Sequence, residues 1–157
     1  MVPDAAAEAG HDARRGAGRD AFHRVLPAEP LAVRQALRAV LARFRRQITE
    51  AEAGARELVL AEVLNNIAEH ACAGPRAGMI DLRLARRPGA ICCRISDDGA
   101  AMPDCRLPPG HPPLTAAGPL PEGGFGWFLI REMVQDLTYA RRAGRNHLAF
   151  RLPLGEG

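Results

Sequence analysis

The sequence predicts an α+β domain, a two-layer α/β sandwich in which a mostly antiparallel sheet carries its helices on one face. Three observations support this fold class. The predicted segments follow the order β-α-α-β-β-loop-α-β-β. The turns between neighbouring strands are too short for a parallel crossover, which takes about a dozen residues. The 157 residues, 47% of them hydrophobic and 25% charged, suit one domain with a sizeable core.

The N-terminal segment, residues 1–19, is rich in Ala, Gly and charge and shows no apolar period. We therefore expect a disordered tail there and a single domain over residues 20–157. A short strand-like segment that begins at Phe22 and ends at Pro27 is followed by a helix over Ala28–Ile48. Pro30 stands near the start of this helix, where a missing N–H costs nothing. Gly54 predicts a break after this helix.

The next segment, Glu57–Ala71, has an apolar stripe of helical period with polar residues beside it. Glu62 and Asn66 stand four residues apart and so face the same way. A carboxylate can accept a proton, and an amide oxygen is a hard neutral ligand suited to Mg²⁺. The pair suggests a metal–phosphate site on a helix. The alternative is a helix whose polar edge is simply hydrated.

Alternating apolar residues predict two strand pairs, each joined by a short turn. The pairs are Met79–Leu84 with Ile91–Ser96, and Leu137–Arg141 with Leu148–Leu152. Gly144 and Asn146 mark the turn of the second pair. A helix from Trp127 to about Gln135 precedes that pair.

A long loop separates the first strand pair from this helix. Residues 101–122 hold seven prolines and two glycines, which excludes a helix or a central strand. A loop of this length between two candidate ligand motifs favours a flexible lid. The turn Gly123–Gly126 opens the helix and could present free N–H groups to an anion, although a tight turn without a ligand explains it equally well.

Composition excludes several kinds of site. The chain has no lysine, so a lysine-dependent phosphate loop or Schiff base is excluded. The net charge of +3 is dispersed, so we expect no direct nucleic-acid binding. Four cysteines without a C-x-x-C pair, no secretory signal and no apolar run near 18 residues predict a cytoplasmic protein outside the membrane.

Three motifs occur in a fixed order: E-x-x-x-N on a helix, D-x-G at a strand end, and G-x-G at a helix start after a flexible loop. In this order they resemble the Bergerat-fold (GHKL) ATPases. The sequence is most similar to the small anti-sigma-factor serine/threonine kinases of bacterial partner-switching systems. The stretches LAEVLNNIAEHA, CRISDDGAAMP and GGFGWFLIREMVQDLTYARRAGRNHLAFRLPL carry the resemblance.

The resemblance implies roles for individual residues. Glu62 would be the general base, and Asn66 would hold Mg²⁺ against the phosphates. Asp97 would accept a hydrogen bond from the adenine amino group, with Asp98 as the competing carboxylate. Taken alone, an Asp at this strand end is explained as well by an Asx-type turn.

Further positions of the nucleotide site follow from the same resemblance. Gly99 would let the backbone approach the base, and Gly124 and Gly126 would let the lid and helix start wrap the phosphates. Ala101 stands where relatives commonly have the second glycine of D-x-G-x-G. The segment Asn146–Leu152 lacks the late-strand threonine of many relatives.

The function implied is an ATP-dependent protein serine/threonine kinase that uses ATP and Mg²⁺. Its partners would be an anti-sigma-factor antagonist as substrate and a sigma factor that it sequesters, and relatives suggest a homodimer. Ala101 and the missing threonine favour an alternative, a catalytically weak, nucleotide-gated protein-binding module. A detached histidine-kinase-type catalytic domain is less favoured, because no dimerisation helix pair precedes the domain.

Overall fold

The structure of the protein is a computed structural model, which describes Gly18 and residues 20–71, 78–110 and 125–155. The predicted tail therefore lies outside the described residues except for Gly18. The same is true of the lid residues 111–122 and of Gly123 and Gly124.

The described residues form one five-stranded sheet and three α-helices. The strands are β1 (Ala21–Pro27), β2 (Met79–Arg87), β3 (Ala90–Asp97), β4 (Gln135–Arg142) and β5 (Arg145–Pro153). The helices are α1 (Pro30–Phe44), α2 (Glu50–Asn66) and α3 (Phe125–Met133). The strand order is β1-β2-β3-β5-β4, and all neighbouring strands are antiparallel.

The core lies between one face of the sheet and the helices. Alternate residues of each central strand are buried there, because successive side chains of a strand point to opposite faces. The buried strand residues include Ile80, Leu82, Leu84, Ile91, Cys93, Ile95, Leu148, Phe150 and Leu152. The helices add Val33, Val40, Phe44, Val59, Val63, Leu64 and Ile130. This arrangement confirms the predicted two-layer α+β sandwich with an antiparallel sheet.

Helix α2 begins at Glu50, so the predicted break at Gly54 is wrong. The start is fixed by a capping box, in which the Thr49 hydroxyl accepts from the Glu52 N–H at 3.2 Å and Glu52 Oε2 accepts from the Thr49 N–H at 2.8 Å. Gly54 is exposed inside the helix, and a Cβ atom there would meet no other described residue within 4 Å. The preceding helix ends at Phe44, short of the predicted Ile48.

The winding of helix α2 changes directly after Asn66. Asn66 is its last α-helical residue, and a π-helical turn follows over Ile67–Ala71. Such turns occur often at functional sites, where the wider winding redirects the side chains on either side of the junction.

Two boundaries near the C-terminus also differ from the prediction. Helix α3 ends at Met133, and Gln135 already belongs to β4. Strand β5 begins at Arg145, which places Asn146 in the sheet, whereas the sequence pattern placed it in a turn. The turn itself consists of Ala143 and Gly144, with φ values of 50° and 72°, as in the two-residue hairpins that fit the twist of a sheet.

Candidate functional site

Glu62 and Asn66 lie one turn apart on α2, and both are half-buried. Helix α3 packs against α2, and its second residue, Gly126, lies over both side chains. A Cβ atom on Gly126 would overlap Glu62 Oε2 and would lie 3.5 Å from Asn66 Nδ2. The structure therefore brings three of the predicted site residues together at the α2–α3 contact, and only glycine fits there without displacing the carboxylate.

Polar atoms of this cluster have no partner in the described part of the chain. The Glu62 carboxylate makes no hydrogen bond or ion pair there. The Asn66 Nδ2 atom is buried and has no hydrogen-bond partner among the residues that the structure describes. A buried donor left unpaired is costly, so the amide suits an acceptor such as a phosphate oxygen.

The donor set also limits how a metal could be held. No group of three or more His, Cys, Asp or Glu side chains in the described ranges could hold a metal ion. Mg²⁺ is commonly bound through one or two protein oxygens together with substrate phosphates and waters. A site with the Asn66 amide oxygen as its protein ligand fits this mode, because the phosphates would complete the coordination.

Asp97 is the last residue of β3, on the face of the sheet that the helices cover, and is 3% exposed. Its Oδ1 atom accepts two hydrogen bonds at 2.9 Å, from the Gly99 N–H and from Asn146 Nδ2. Over the described ranges both bonds fall on Oδ1, so Oδ2 is left without a protein donor. Burial raises the pKa of the Asp97 carboxyl, and these two hydrogen bonds partly oppose the shift.

The neighbouring carboxylate is placed differently. Asp98 is exposed, and its Oδ1 accepts from the Met79 N–H at 2.9 Å, where it caps the start of β2. Because adjacent residues at a strand end point to opposite sides, only Asp97 faces the helices. The geometry thus favours Asp97 over Asp98 as an acceptor for a buried ligand.

Side chains from β4 and β5 hold the segment that follows Asp97. Arg141 Nη1 donates to the Gly99 carbonyl at 2.6 Å, and Asn146 Nδ2 donates to the Ala100 carbonyl at 2.7 Å. The Met102 N–H donates to the Tyr139 hydroxyl at 3.1 Å. The β4–β5 hairpin therefore holds this segment by hydrogen bonds at three positions, Gly99, Ala100 and Met102.

Sequence reasoning missed Tyr139, Arg141 and Asn146. Asn146 lies opposite Asp97 in the β3–β5 register. A signal was present, since Asn146 is in phase with the buried residues Leu148, Phe150 and Leu152. Extending that alternation backwards by one step puts Asn146 on the buried face of the strand.

The other predicted positions include Ala101 and Gly124. Ala101 is exposed, and neither of the two clusters described above contacts it through a hydrogen bond in the described residues. Gly124 lies outside the described residues. No hydrogen bond among described residues joins the Glu62 cluster to the Asp97 cluster, although both lie on the helix side of the sheet.

The beginning of the predicted lid is attached to α3. Arg131 Nε donates to the Pro108 carbonyl at 2.9 Å. Gly110, with φ of 74°, lies against the Phe128 backbone, where a Cβ atom would be 2.5 Å from the Phe128 nitrogen. The loop that leaves the Asp97 segment is thus fixed to the helix whose first turn carries Gly126.

Two cavities lie away from this site. One of about 870 Å³ lies between β1 and the end of α1, with Phe22 and Arg43 among its lining residues. The other, about 540 Å³, lies on the face of the sheet opposite the helices, beside Arg94 and His147. Neither is lined by Glu62, Asn66 or Asp97.

The arrangement agrees with a sequence comparison. Residues 26–152 match the family described as the histidine kinase-like ATPase domain. The chain belongs to this family. The matched range includes every described residue of the two clusters, so the E-x-x-x-N, D-x-G and G-x-G motifs stand within a histidine kinase-like ATPase domain.

One curated relative of this domain is the serine/threonine-protein kinase BtrW of Bordetella bronchiseptica. It is 37% identical over 89 residues, which are 55% of this chain and 61% of BtrW. The match therefore spans less than two thirds of that protein.

Solved structures share the fold. The RsbU and RsbW domains of Rv1364c from Mycobacterium tuberculosis superpose with a TM-score of 0.58 at 14% identity, over 87% of this chain and 33% of that chain. A histidine kinase domain from Erythrobacter litoralis gives 0.53 at 21% identity, over 82% and 61%. Both likenesses support the GHKL type of two-layer fold.

Within the described ranges, no helix combines the length and the apolar character needed to cross a bilayer.

Proposed function

We propose that this protein binds ATP with Mg²⁺ and transfers the γ-phosphoryl group to a serine or threonine hydroxyl of a partner protein. The partner would be an anti-sigma-factor antagonist of a bacterial partner-switching system. The same protein would sequester a sigma factor, and phosphorylation would decide which partner it holds. The name of the relative BtrW, a serine/threonine-protein kinase, supports the acceptor class.

The observation that carries the proposal is the cluster of Glu62, Asn66 and Gly126. Because Gly126 has no Cβ, the first turn of α3 can approach the Glu62 carboxylate and the Asn66 amide closely. The Glu62 carboxylate has no partner in the described residues and can take the proton of the attacking hydroxyl. The unpaired Asn66 amide can bind a phosphate oxygen. Mg²⁺, when bound, would neutralise charge on the transferring phosphoryl group.

The adenine end of the nucleotide would meet Asp97. Its free Oδ2 is a buried acceptor that can pair with an exocyclic amine, while a guanine carbonyl at the same position would face it with a second acceptor. Discrimination of this kind is strong, because a mismatched ligand leaves a buried polar group unpaired.

The first test is calorimetric titration of Mg·ATP into the wild-type protein and into Asp97→Asn. The substitution keeps an oxygen for the Gly99 N–H but presents an amide donor towards the adenine amine. We expect micromolar binding by the wild type and at least about a tenfold loss in Asp97→Asn. No binding by folded wild-type protein at millimolar nucleotide would overturn the proposal.

The second test measures transfer of labelled γ-phosphate to purified candidate antagonists. Glu62→Gln should still bind ATP but transfer phosphate about 100-fold more slowly, the typical worth of a general base. Glu57→Gln, an exposed substitution on the same helix, is the matched control and should transfer normally. Acid-stable phosphoserine or phosphothreonine on the acceptor is expected; acid-labile phosphohistidine would instead favour a histidine-kinase-type domain.

A nucleotide-gated binding module without turnover is the second candidate. It is favoured by Ala101 at the second glycine position and by the absence of a late-strand threonine from Asn146–Leu152. ATP binding with partner capture but no phosphotransfer in either wild type or Glu62→Gln would support the module over the kinase.

A further inference from the structure

The geometry points to Asn146 as the residue that sets the nucleobase specificity of this site. Asn146 acts through Asp97: it occupies one carboxylate oxygen and so presents the other to the base. This inference rests on the proposed ATP binding and names a positioning residue that the sequence motifs do not contain.

The orientation of the Asn146 amide is fixed by its surroundings. Its Nδ2 atom faces Asp97 Oδ1 at 2.9 Å and the Ala100 carbonyl at 2.7 Å, and both of these oxygens accept hydrogen bonds. Its Oδ1 atom faces Arg141 Nη1 at 3.0 Å, which can only donate. Rotating the amide by half a turn would set acceptor against acceptor and donor against donor, so one orientation remains.

The same contacts saturate the amide. Tyr139 donates its hydroxyl hydrogen to Asn146 Oδ1 at 2.6 Å, so both lone pairs of that oxygen are used. Both hydrogens of Nδ2 are used as well. Asn146 is 3% exposed, and it has no hydrogen-bonding capacity left for a ligand. Its effect on a nucleotide must therefore pass through Asp97.

These contacts also fix the orientation of the Asp97 carboxylate. With Oδ1 held by the Gly99 N–H and by Asn146, the carboxylate plane cannot rotate without losing these two hydrogen bonds. The direction from which Oδ2 can accept a hydrogen bond is then fixed. A preorganised acceptor of this kind binds a matching donor without a cost of reorientation, which strengthens the preference for a base with an exocyclic amine.

The network also explains how the chain manages without two features of its relatives. The late-strand threonine is absent, and Asn146 occupies the strand position opposite Asp97. The second glycine of D-x-G-x-G is replaced by Ala101, and the backbone before it is held instead through the Gly99 and Ala100 carbonyls.

The test compares ATP with inosine triphosphate, which carries a carbonyl oxygen in place of the amino group. Because the triphosphates are identical, the ratio of the two affinities reports on recognition of this edge of the purine, where inosine also carries a hydrogen on N1. Calorimetry would be run with Mg²⁺ on the wild type and on Asn146→Leu, which keeps the size of the side chain and removes its hydrogen bonds. His147→Leu, the next residue of β5 on the opposite face of the sheet, is the matched control.

We expect the wild type and His147→Leu to prefer ATP by about tenfold or more, the worth of one hydrogen bond to a charged acceptor. In Asn146→Leu the ratio should fall towards one while inosine triphosphate binds within about threefold of the wild type. Should Asn146→Leu not fold, Tyr139→Phe removes one hydrogen bond to the amide and should lower the ratio by a smaller factor, about threefold.

Two results would count against the inference in different ways. If both affinities fall together in the variants and the ratio is kept, Asn146 is only structural and the inference fails while ATP binding stands. If the folded wild type binds neither nucleotide, the proposed function fails and this inference with it.

Discussion

Gly126 lies so close to Glu62 that the place of a Cβ atom is already occupied by the carboxylate Oε2. The overlapping atom is the end of a flexible side chain, so Gly126→Ala should rotate the carboxylate away and leave the fold intact. Displacing a catalytic group by about 1 Å can lower a rate by 100-fold. We expect phosphotransfer to fall by about tenfold to 100-fold, with a melting temperature close to that of the wild type.

Gly54→Ala is the matched control for this substitution. Gly54 is exposed within α2. Among the described residues, no atom lies within 4 Å of the place that a Cβ atom would take there. Alanine there should stabilise the protein by up to about 1 kcal/mol through helix propensity and should leave phosphotransfer unchanged. Equal rates for Gly126→Ala and the wild type would contradict the placement of Glu62 in the reaction.

Gly110 is held to glycine by two independent restrictions. Its φ is 74°, and a Cβ atom would meet backbone atoms of Phe128 at 2.5 and 2.8 Å, which cannot move aside as a side-chain end can. Gly110→Ala should therefore destabilise the protein and loosen the loop from α3. Thermal denaturation would measure the loss, which we expect to exceed the roughly 1–2 kcal/mol of a left-handed backbone alone.

Gly89 is a control that separates the two restrictions. Its φ is also 74°, but no atom of the described residues lies within 4 Å of the place that a Cβ atom would take. Gly89→Ala should cost only the conformational part, about 1–2 kcal/mol. Similar losses for both variants would show that the contact between Gly110 and Phe128 is absent in solution.

Glu52 makes stability depend on acid pH. Backbone N–H groups of Thr49 and Gly155 donate to its carboxylate and lower its pKa from 4.5 to about 2. The ionised carboxylate therefore favours the folded state above about pH 4.5, and this contribution is lost as the pH falls through 2. Glu52→Gln should melt at a lower temperature than the wild type at pH 7.

The difference in melting temperature between Glu52→Gln and the wild type should shrink below pH 4.5 and vanish near pH 2. Glu50→Gln alters a glutamate in the same first turn that has no hydrogen-bond partner among the described residues, and should show a much smaller difference at pH 7. A deficit for Glu52→Gln that stays constant down to pH 2 would rule out the carboxylate charge as its cause.

If Asp97 binds the base as proposed, nucleotide selectivity should depend on pH. Burial, with a smaller contribution from the Asp98 charge, raises its pKa above 3.8, while Asn146, Gly99 and Arg141 oppose the shift. Protonation removes the charged acceptor, so the ATP-to-inosine-triphosphate affinity ratio should fall as the pH is lowered towards that raised pKa. Calorimetry at successively lower pH, as far as the protein stays folded, would follow the fall; a rising ratio would contradict it.

Much of the fold could be predicted from the sequence because its signals are periodic. Alternation placed the strands Met79–Leu84 and Ile91–Ser96 within β2 and β3, and the helical stripe around Val59 and Val63 placed the body of α2. The start of α2 was missed because Gly54 was given more weight than the capping box of Thr49 and Glu52. A cap supplies specific hydrogen bonds, whereas one exposed glycine costs a helix only about 1 kcal/mol.

The residues of the candidate site also differ in how readily the sequence reveals them. Glu62 and Asn66 share a helix face, which local spacing reveals, and Gly126 belongs to a recognisable turn. The partnership of Asp97 with Asn146 depends on the register between β3 and β5, strands separated by most of the second half of the domain. Such a contact is set by tertiary pairing, so a three-residue error in one strand boundary was enough to hide it.

The strand order has a consequence for the folding kinetics. The hairpins β2–β3 and β4–β5 are local in the chain, whereas the β3–β5 seam between them joins distant segments. Asp97 belongs to one hairpin, while Tyr139, Arg141 and Asn146 belong to the other. Because local pairings form sooner than distant ones, the adenine pocket would be completed only when the two hairpins meet. A nucleotide bound there would require this seam to stay closed, and it would slow unfolding more than it accelerates folding.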